Sequence, residues 1–295
     1  MGVSPSRGKS PALSARALRK ELKYVHRFVS LSLEGLDLTE LPSSLFELRE
    51  VQKLGLWRNR LTTMPSATGR LENLVVLGLD GNNLIAFPAE IGMLRKLKAL
   101  FANRNRLVEV PRELAKCQSL EVLSLSSNSL RSLPDDLVAL RKLRKLNLSA
   151  NALGRVPRCV MYMKALTFLD VSYNDIVGLP DSVRELQRLE TLIAERNRLE
   201  ALPASICEIT RLETLNVDYN QIRTVPLDLD QLVRLPRIAN HPVDRGLHIR
   251  NNPLADPLAA VVDKGLLALF DCLEGWRKLR QLQSKSISQL STTGY

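Results

Sequence analysis

The sequence predicts an α/β solenoid: short parallel strands stacked into one curved sheet on the concave face, with short helical or 3-10 segments on the convex face. Three observations predict it. Asparagine recurs as Asn59, Asn82, Asn105, Asn128, Asn151, Asn174, Asn197 and Asn220, each the same interval from the last. Proline recurs with the same period from Pro42 to Pro226. Between them runs the frame L-x-L-x-x-N-x-L-x-x-L-P, complete at Leu123 to Pro134 and again, with Val156 for the last leucine, at Leu146 to Pro157. A period of this length means stacked copies of one supersecondary unit.

Each part of the frame has a physical reason. L-x-L is a strand too short to do more than point two leucines inward and one residue outward. The asparagine amide has two donors and an acceptor, so the periodic asparagines form a structural ladder that satisfies loop backbone groups of neighbouring coils. Proline closes the loop and opens a P-x-x-[LIV]-x-x-L segment whose apolar spacing suits one or two helical turns. One coil cannot bury its leucines alone; stacked coils share a core.

The frame resembles the leucine-rich repeat in its short intracellular form, with Leu-Pro after the asparagine loop. The resemblance implies a horseshoe-like solenoid that binds proteins as a scaffold, as relatives of this type do in intracellular signalling. Taken in order, the chain divides into a flexible arm (1–11), an N-terminal capping helix (12–27), about ten coils (28–257), a C-terminal capping helix (258–283) and a disordered tail (284–295). The N-terminal cap is read from the stripe Ala15, Leu18, Leu22 and Val25, and the C-terminal one from Leu266, Leu267, Phe270, Leu273 and Leu279. Two coils are irregular. The first has Leu36 where asparagine belongs. The last offers two frames: Leu235-Pro-Arg-Ile238, a poor strand because Pro236 cannot donate to a ladder, and Leu247-His-Ile249 with Asn252. The second is the better strand, with a bulge or loop before it.

Composition narrows the function. No run of apolar residues is long enough for a transmembrane helix, and the first residues lack a secretory h-region. The four cysteines are far apart, without the paired caps of extracellular relatives, so a cytoplasmic location and buried structural thiols are expected. The net charge of +11 is not spread evenly. Residues 1–28 hold seven Lys/Arg against one Glu.

Arg58-Asn-Arg-Leu61, Arg104-Asn-Arg-Leu107 and Arg196-Asn-Arg-Leu199 suggest a phosphate track at first sight. They recur because the lattice recurs, and Asp80, Asp175, Glu195 and Asp218 alternate with them, so no nucleic-acid partner is expected. The near P-loop at Gly2 to Ser10 has one residue too many between its glycines. The histidines and cysteines have no metal-ligand spacing and no nucleophile–base pair, so no enzyme, metal, cofactor or small-molecule substrate is expected. The outward strand positions are informative. Trp57, Arg58, Phe101 and Arg104 form an early group; Phe168, Tyr173, Ile193, Arg196 and Tyr219 form a later one. Between them the coils are bland, with Ser124, Ser126 and Ser127, then Asn147, Ser149 and Ala150. Aromatics and arginine dominate protein interfaces, so the two groups are the candidate contacts for a protein partner on the concave face.

The start of the sequence carries a second signal. Met1-Gly2 followed by Ser6 fits M-G-x-x-x-[ST], the pattern for N-myristoylation of Gly2. One acyl chain anchors weakly without a second element, and the basic N-terminal stretch would supply it at an inner-leaflet surface. The sequence thus predicts a non-enzymatic binding scaffold; the alternative is a myristoylated, membrane-tethered adaptor.

Overall fold

The computed structural model describes residues 14–25, 27–239, 241 and 244–292, with side chains described through residue 284. The chain forms two compact units, Met1–Leu143 and Arg144–Tyr295. Both are built from the same coil.

In the first unit β1 (Lys23–Val25) pairs antiparallel with β2 (Phe28–Ser32), and β2 starts a parallel series with β3 (Lys53–Gly55), β4 (Val76–Gly78), β5 (Ala99–Phe101) and β6 (Val122–Ser124). In the second, β7 (Lys145–Asn147), β8 (Phe168–Asp170), β9 (Thr191–Ile193), β10 (Thr214–Asn216) and β11 (Gly246–His248) follow one another in parallel. The register places leucine on leucine: Leu54 faces Leu77, and Leu192 faces Leu215. The two apolar residues of each L-x-L are buried, as are those that close the loops from Met64 to Val225.

Behind β2 to β9 the chain turns through a short 3-10 segment that starts directly after the periodic proline, as in Arg112–Lys116 after Pro111; behind β10 it starts later, at Leu229. The proline sits in extended backbone and its carbonyl accepts the first 3-10 hydrogen bond, Leu114 N to Pro111 O at 3.1 Å. One turn suffices, because so short a coil must return at once to the next strand.

The asparagines hydrogen-bond from coil to coil as a ladder. Asn82 Oδ1 accepts from Leu61 N, and its Nδ2 donates to Leu56 O and Leu79 O. Asn59, Asn105, Asn174, Asn197 and Asn220 do the same and are buried; Asn128 and Asn151 are half-buried. Asn252 adds a rung in the irregular coil, taking Ile222 N at 2.9 Å.

Five local expectations need correction. The N-terminal helix covers only Ala15–Lys20, capped by Ser14 Oγ, with Leu18 fully buried. Tyr24 and Val25 belong instead to β1, because strand pairing satisfies the open edge of β2 where a continued helix would leave it bare. The sheet is therefore not parallel throughout. At the other end the single expected helix is two, α2 (Leu258–Asp263) and α3 (Leu266–Thr292), broken at Gly265 with φ 107°. Helix α3 continues through most of the segment expected to be disordered. Its buried stripe is Leu266, Leu269 and Leu273, while Leu267 is 80% exposed.

The irregular coil uses both candidate frames. β11 pairs with β10 through Leu247, and Ile238 bridges Leu247 in parallel from the other side. Arg237 O accepts Leu247 N, and Ala239 N donates to Leu247 O, both at 2.9 Å. The extra residues thus give β11 a short partner. Gly246, at φ 141°, is required there, since a Cβ would collide with Arg237 O.

Candidate protein-binding face

One position per coil fixes the geometry of this face. Arg58, Arg104, Ser127, Ala150, Tyr173, Arg196, Tyr219 and Asn251 all have φ between 50° and 55°, and Gly35 and Gly81 hold the same place with positive φ. This left-handed turn after each strand lets the backbone N–H reach the next coil, as Arg104 N does to Ser126 O at 2.9 Å. It also aims the side chain outward. The first arginine of each Arg-Asn-Arg-Leu stretch is therefore a lattice turn residue. Several of these arginines are paired: Arg60 with Asp37 at 2.9 Å, Arg198 with Asp175 at 2.6 Å, Arg58 with Glu34 at 3.6 Å.

In the first unit Trp57 is half-buried, because its indole lies flat across Gly55 and Gly78. A Cβ on either glycine would overlap the ring. Those glycines carry no hydrophobic signal, so the sequence pattern passed over them. Next to this platform runs a polar chain. Asp80 Oδ1 accepts from Asn103 N and Nδ2 at 2.7 and 3.0 Å. Asn103 Oδ1 in turn accepts from the Ser124 and Ser126 hydroxyls at 2.7 and 2.8 Å. Burial raises the Asp80 carboxyl above its ordinary range, against the lowering effect of the Asn103 hydrogen bonds. Phe101 is half-buried and Arg104 exposed.

In the second unit the structure brings three expected residues into direct contact. The Arg196 guanidinium stands between Tyr173 and Tyr219, 5.3 and 4.1 Å from their ring centres. The tyrosines remain 51% and 46% exposed. This shelf exists because successive coils present the same left-handed position. Phe168 and Ile193 are half-buried on the strand face. Of the acidic floor beside them, sequence reasoning places Glu195 and Asp218 only as charges alternating with the arginines, and it misses Asp170. Asp170 Oδ1 accepts from Ser172 Oγ at 2.6 Å, Glu195 Oε2 from Asn216 Nδ2 at 2.8 Å, and Asp218 Oδ1 from Arg250 N at 2.6 Å. Burial pushes both Asp170 and Asp218 above the ordinary carboxylate range, and Glu195 adds like-charge repulsion. His248, 1% exposed, donates from Nε2 to Asp244 O at 2.8 Å, with Nδ1 3.9 Å from Asp218.

The buried thiols are unsuited to nucleophilic chemistry: burial pushes Cys117 up to about 11 and Cys207 up to about 12. Among the described residues no cluster of His, Cys, Asp or Glu could hold a metal ion, and no helix is long and apolar enough to cross a membrane. Gly2 and Ser6 lie outside the described residues.

Comparison with known proteins agrees with this geometry. The family model for the leucine rich repeat matches residues 95–153 and 118–176. A leucine-rich-repeat protein of Leptospira interrogans is similar in structure, with TM-score 0.71 and 29% identity over 84% of this chain and 66% of that one. The ectodomain of the Arabidopsis thaliana receptor kinase GASSHO1/SCHENGEN3, solved with CASPARIAN STRIP INTEGRITY FACTOR 2, gives TM-score 0.64 and 28% identity over 76% of this chain and 27% of that one. The plant peptide hormone receptor RGFR1, solved with RGF2, gives TM-score 0.61 and 27% identity, over 82% of this chain and 41% of that one. The chain thus spans less than two thirds of each of these proteins. No curated protein matches the sequence. The repeat, the register and these similarities establish the chain as a leucine-rich-repeat solenoid.

Proposed function

We propose that the chain is a non-enzymatic scaffold that holds a protein partner on its strand faces. One observation carries this reading. Aromatic side chains stand on the strand faces, and neighbouring groups support three of them: Trp57 rests on a glycine platform, and Tyr173 and Tyr219 flank Arg196. Large, pre-positioned aromatics with arginine are the residue types that carry binding energy at interfaces. Two of the similar structures were solved with a bound partner, which favours the same use of this fold.

Proximity labelling in cells tests it. Trp57→Ala plus Phe101→Ala, or Tyr173→Ala plus Tyr219→Ala, should remove a defined set of neighbours that wild type labels. Arg131→Ala plus Arg155→Ala, which lies off the strands, should not. An unchanged set with both aromatic pairs removed refutes the reading. A second reading, a membrane-tethered cytoplasmic adaptor acylated on Gly2, is favoured by the M-G-x-x-x-S pattern and the basic N-terminal stretch. Intact-mass measurement of protein from eukaryotic cells decides it: a myristoyl adduct that Gly2→Ala abolishes is expected, and an unacylated glycine refutes it.

A further inference from the structure

Away from the strand faces, the first unit carries a cationic cleft of about 740 Å³ lined by Arg95, Lys116, Gln118, Ser119, Arg141 and Lys142, with Ala139. We propose that this cleft binds a multiply phosphorylated small group of the inositol-polyphosphate class.

The repeat explains the cleft. Each 3-10 segment ends in an inverse γ-turn centred on Leu94, Cys117 or Leu140, with φ near −77° and ψ near 60°. The turn is closed by Arg95 N to Met93 O, Gln118 N to Lys116 O and Arg141 N to Ala139 O, at 2.8, 2.9 and 2.8 Å. Equivalent positions on three coils therefore point outward in the same way. One column reads Arg95, Gln118, Arg141, and the next reads Lys96, Ser119, Lys142. Short polar residues on the middle coil make the hollow, and long cations on the flanking coils wall it. Lys116 closes one side, where the third coil has only Ala139.

Among the described residues none of the cleft's four cations is held in an ion pair, although Glu113 lies near Lys116 and shares a neighbouring hollow with it and Arg95. Neighbouring cations have partners: Lys96 donates to Asn73 Oδ1 at 2.7 Å, Lys98 pairs with Glu121 at 3.4 Å, and Arg112 with Glu113 at 3.3 Å. Among the described residues, Arg95, Lys116, Arg141 and Lys142 have no carboxylate within ion-pair distance, and no acid lines the cleft. Four exposed like charges around one hollow repel each other, and a bound polyanion relieves this. Two arginines offer forked donors suited to phosphate, two lysines add point charges, and the Gln118 amide and Ser119 hydroxyl supply neutral donors. The size falls within the roughly 300–1,000 Å³ of small-ligand sites. A duplex would need the basic stripe to continue, but the preceding coil puts Glu72 and Asn73 at these positions.

Inositol hexakisphosphate, titrated calorimetrically into the full chain, should bind saturably. Arg141→Glu plus Lys142→Glu should weaken it by about tenfold or more, and Arg141→Lys should retain it. Arg131→Glu plus Arg155→Glu, with the same charge change elsewhere, should leave it within about twofold. Co-sedimentation with phosphatidylcholine vesicles, with and without phosphatidylinositol bisphosphate, separates the sources. Capture by the phosphoinositide vesicles that Arg141→Glu plus Lys142→Glu abolishes assigns a lipid headgroup; titration without capture assigns a soluble ligand. No saturable binding, or equal losses in the two double variants, overturns the proposal.

Discussion

Asn105 offers a sharp test of how the lattice holds together. Its Oδ1 accepts from Leu84 N at 3.0 Å, and its Nδ2 donates to Leu79 O at 2.9 Å and Ala102 O at 3.2 Å. The two carbonyls are shared. Leu79 O also receives Asn82 Nδ2, and Ala102 O receives Asn128 Nδ2, each at 2.9 Å. The amide of Leu84 has no other acceptor among the described residues. Asn105→Ala therefore strands one buried N–H while both carbonyls keep a donor. An unpaired buried group costs about 1–3 kcal/mol, so the single change should fall in that range. Asn82→Ala alone likewise strands Leu61 N, while Leu79 O keeps Asn105. Together they leave Leu79 O with neither donor. The double variant should thus be worse than the sum of the singles by about 1 kcal/mol. Asn59→Ala with Asn105→Ala shares no carbonyl and should be additive. Urea melts of these variants measure the coupling, and amide exchange at Leu84 should accelerate whenever Asn105 is lost. Arg104→Ala, exposed beside it, should cost within about 0.5 kcal/mol. Equal coupling in the adjacent and separated pairs would refute the shared-carbonyl account.

Three further outcomes follow from single contacts. Gly78→Val should expel the indole of Trp57 and cost on the order of 1–3 kcal/mol; in a Trp276→Phe background, unchanged emission from Trp57 would count against the platform. Ser127→Gly should be neutral or stabilise by up to about 1 kcal/mol, because φ 54° strains serine but not glycine; a clear loss in melting temperature contradicts this. Asp170→Asn keeps an acceptor for Ser172 and removes a buried charge. Burial raises the folded-state Asp170 carboxyl above its unfolded value, so its ionisation opposes folding as pH rises through that window. The asparagine variant should be the more stable at neutral pH, with the gap closing as both states protonate in acid; a gap independent of pH would exclude this cause.

The lattice was legible because it is written redundantly. The asparagine amide, the proline and the paired leucines each mark the same coil, and each has one physical job. The ends were less legible. Leu22 and Val25 fit a helical stripe, yet the unpaired edge of β2 made Lys23–Val25 a strand, a tertiary need that local spacing does not encode. Leu267 read as core from spacing alone, but the break at Gly265 resets the helix and turns Leu269 inward instead. Ile238 and Leu247 looked like competing frames, whereas the structure pairs them. On the candidate face the aromatic and arginine positions were visible from the columns. The glycine platform was not, because its signal is an absent side chain. Of the acidic floor, Glu195 and Asp218 were visible as charges but Asp170 was not, and the burial that gives them meaning depends on neighbours one coil away.

The division of labour within a coil explains why the face can vary while the fold does not. The leucines are consumed by the core, the asparagine amide by the ladder, and the left-handed backbone by the link to the next coil. The side chains left free are the outward strand positions and the turn position, and these differ from coil to coil. In the second unit several of them work against stability. Tyr173, Arg196 and Tyr219 occupy a backbone region that glycine would fill with less strain. Asp170 and Asp218 are held as half-buried acids near Glu195. A coil selected only for folding would place glycine or asparagine at the turn, as Gly81 and Asn251 do, and small neutral residues on the strand, as Ser124 and Ser149 do. The left-handed strain recurs in the bland coils at Ser127 and Ala150 and so belongs to the lattice; what the second unit's face adds is a group of half-buried acids. It follows that substitutions toward the bland coil at Tyr173, Asp170 and Tyr219 should separate the two roles, raising stability while weakening partner capture.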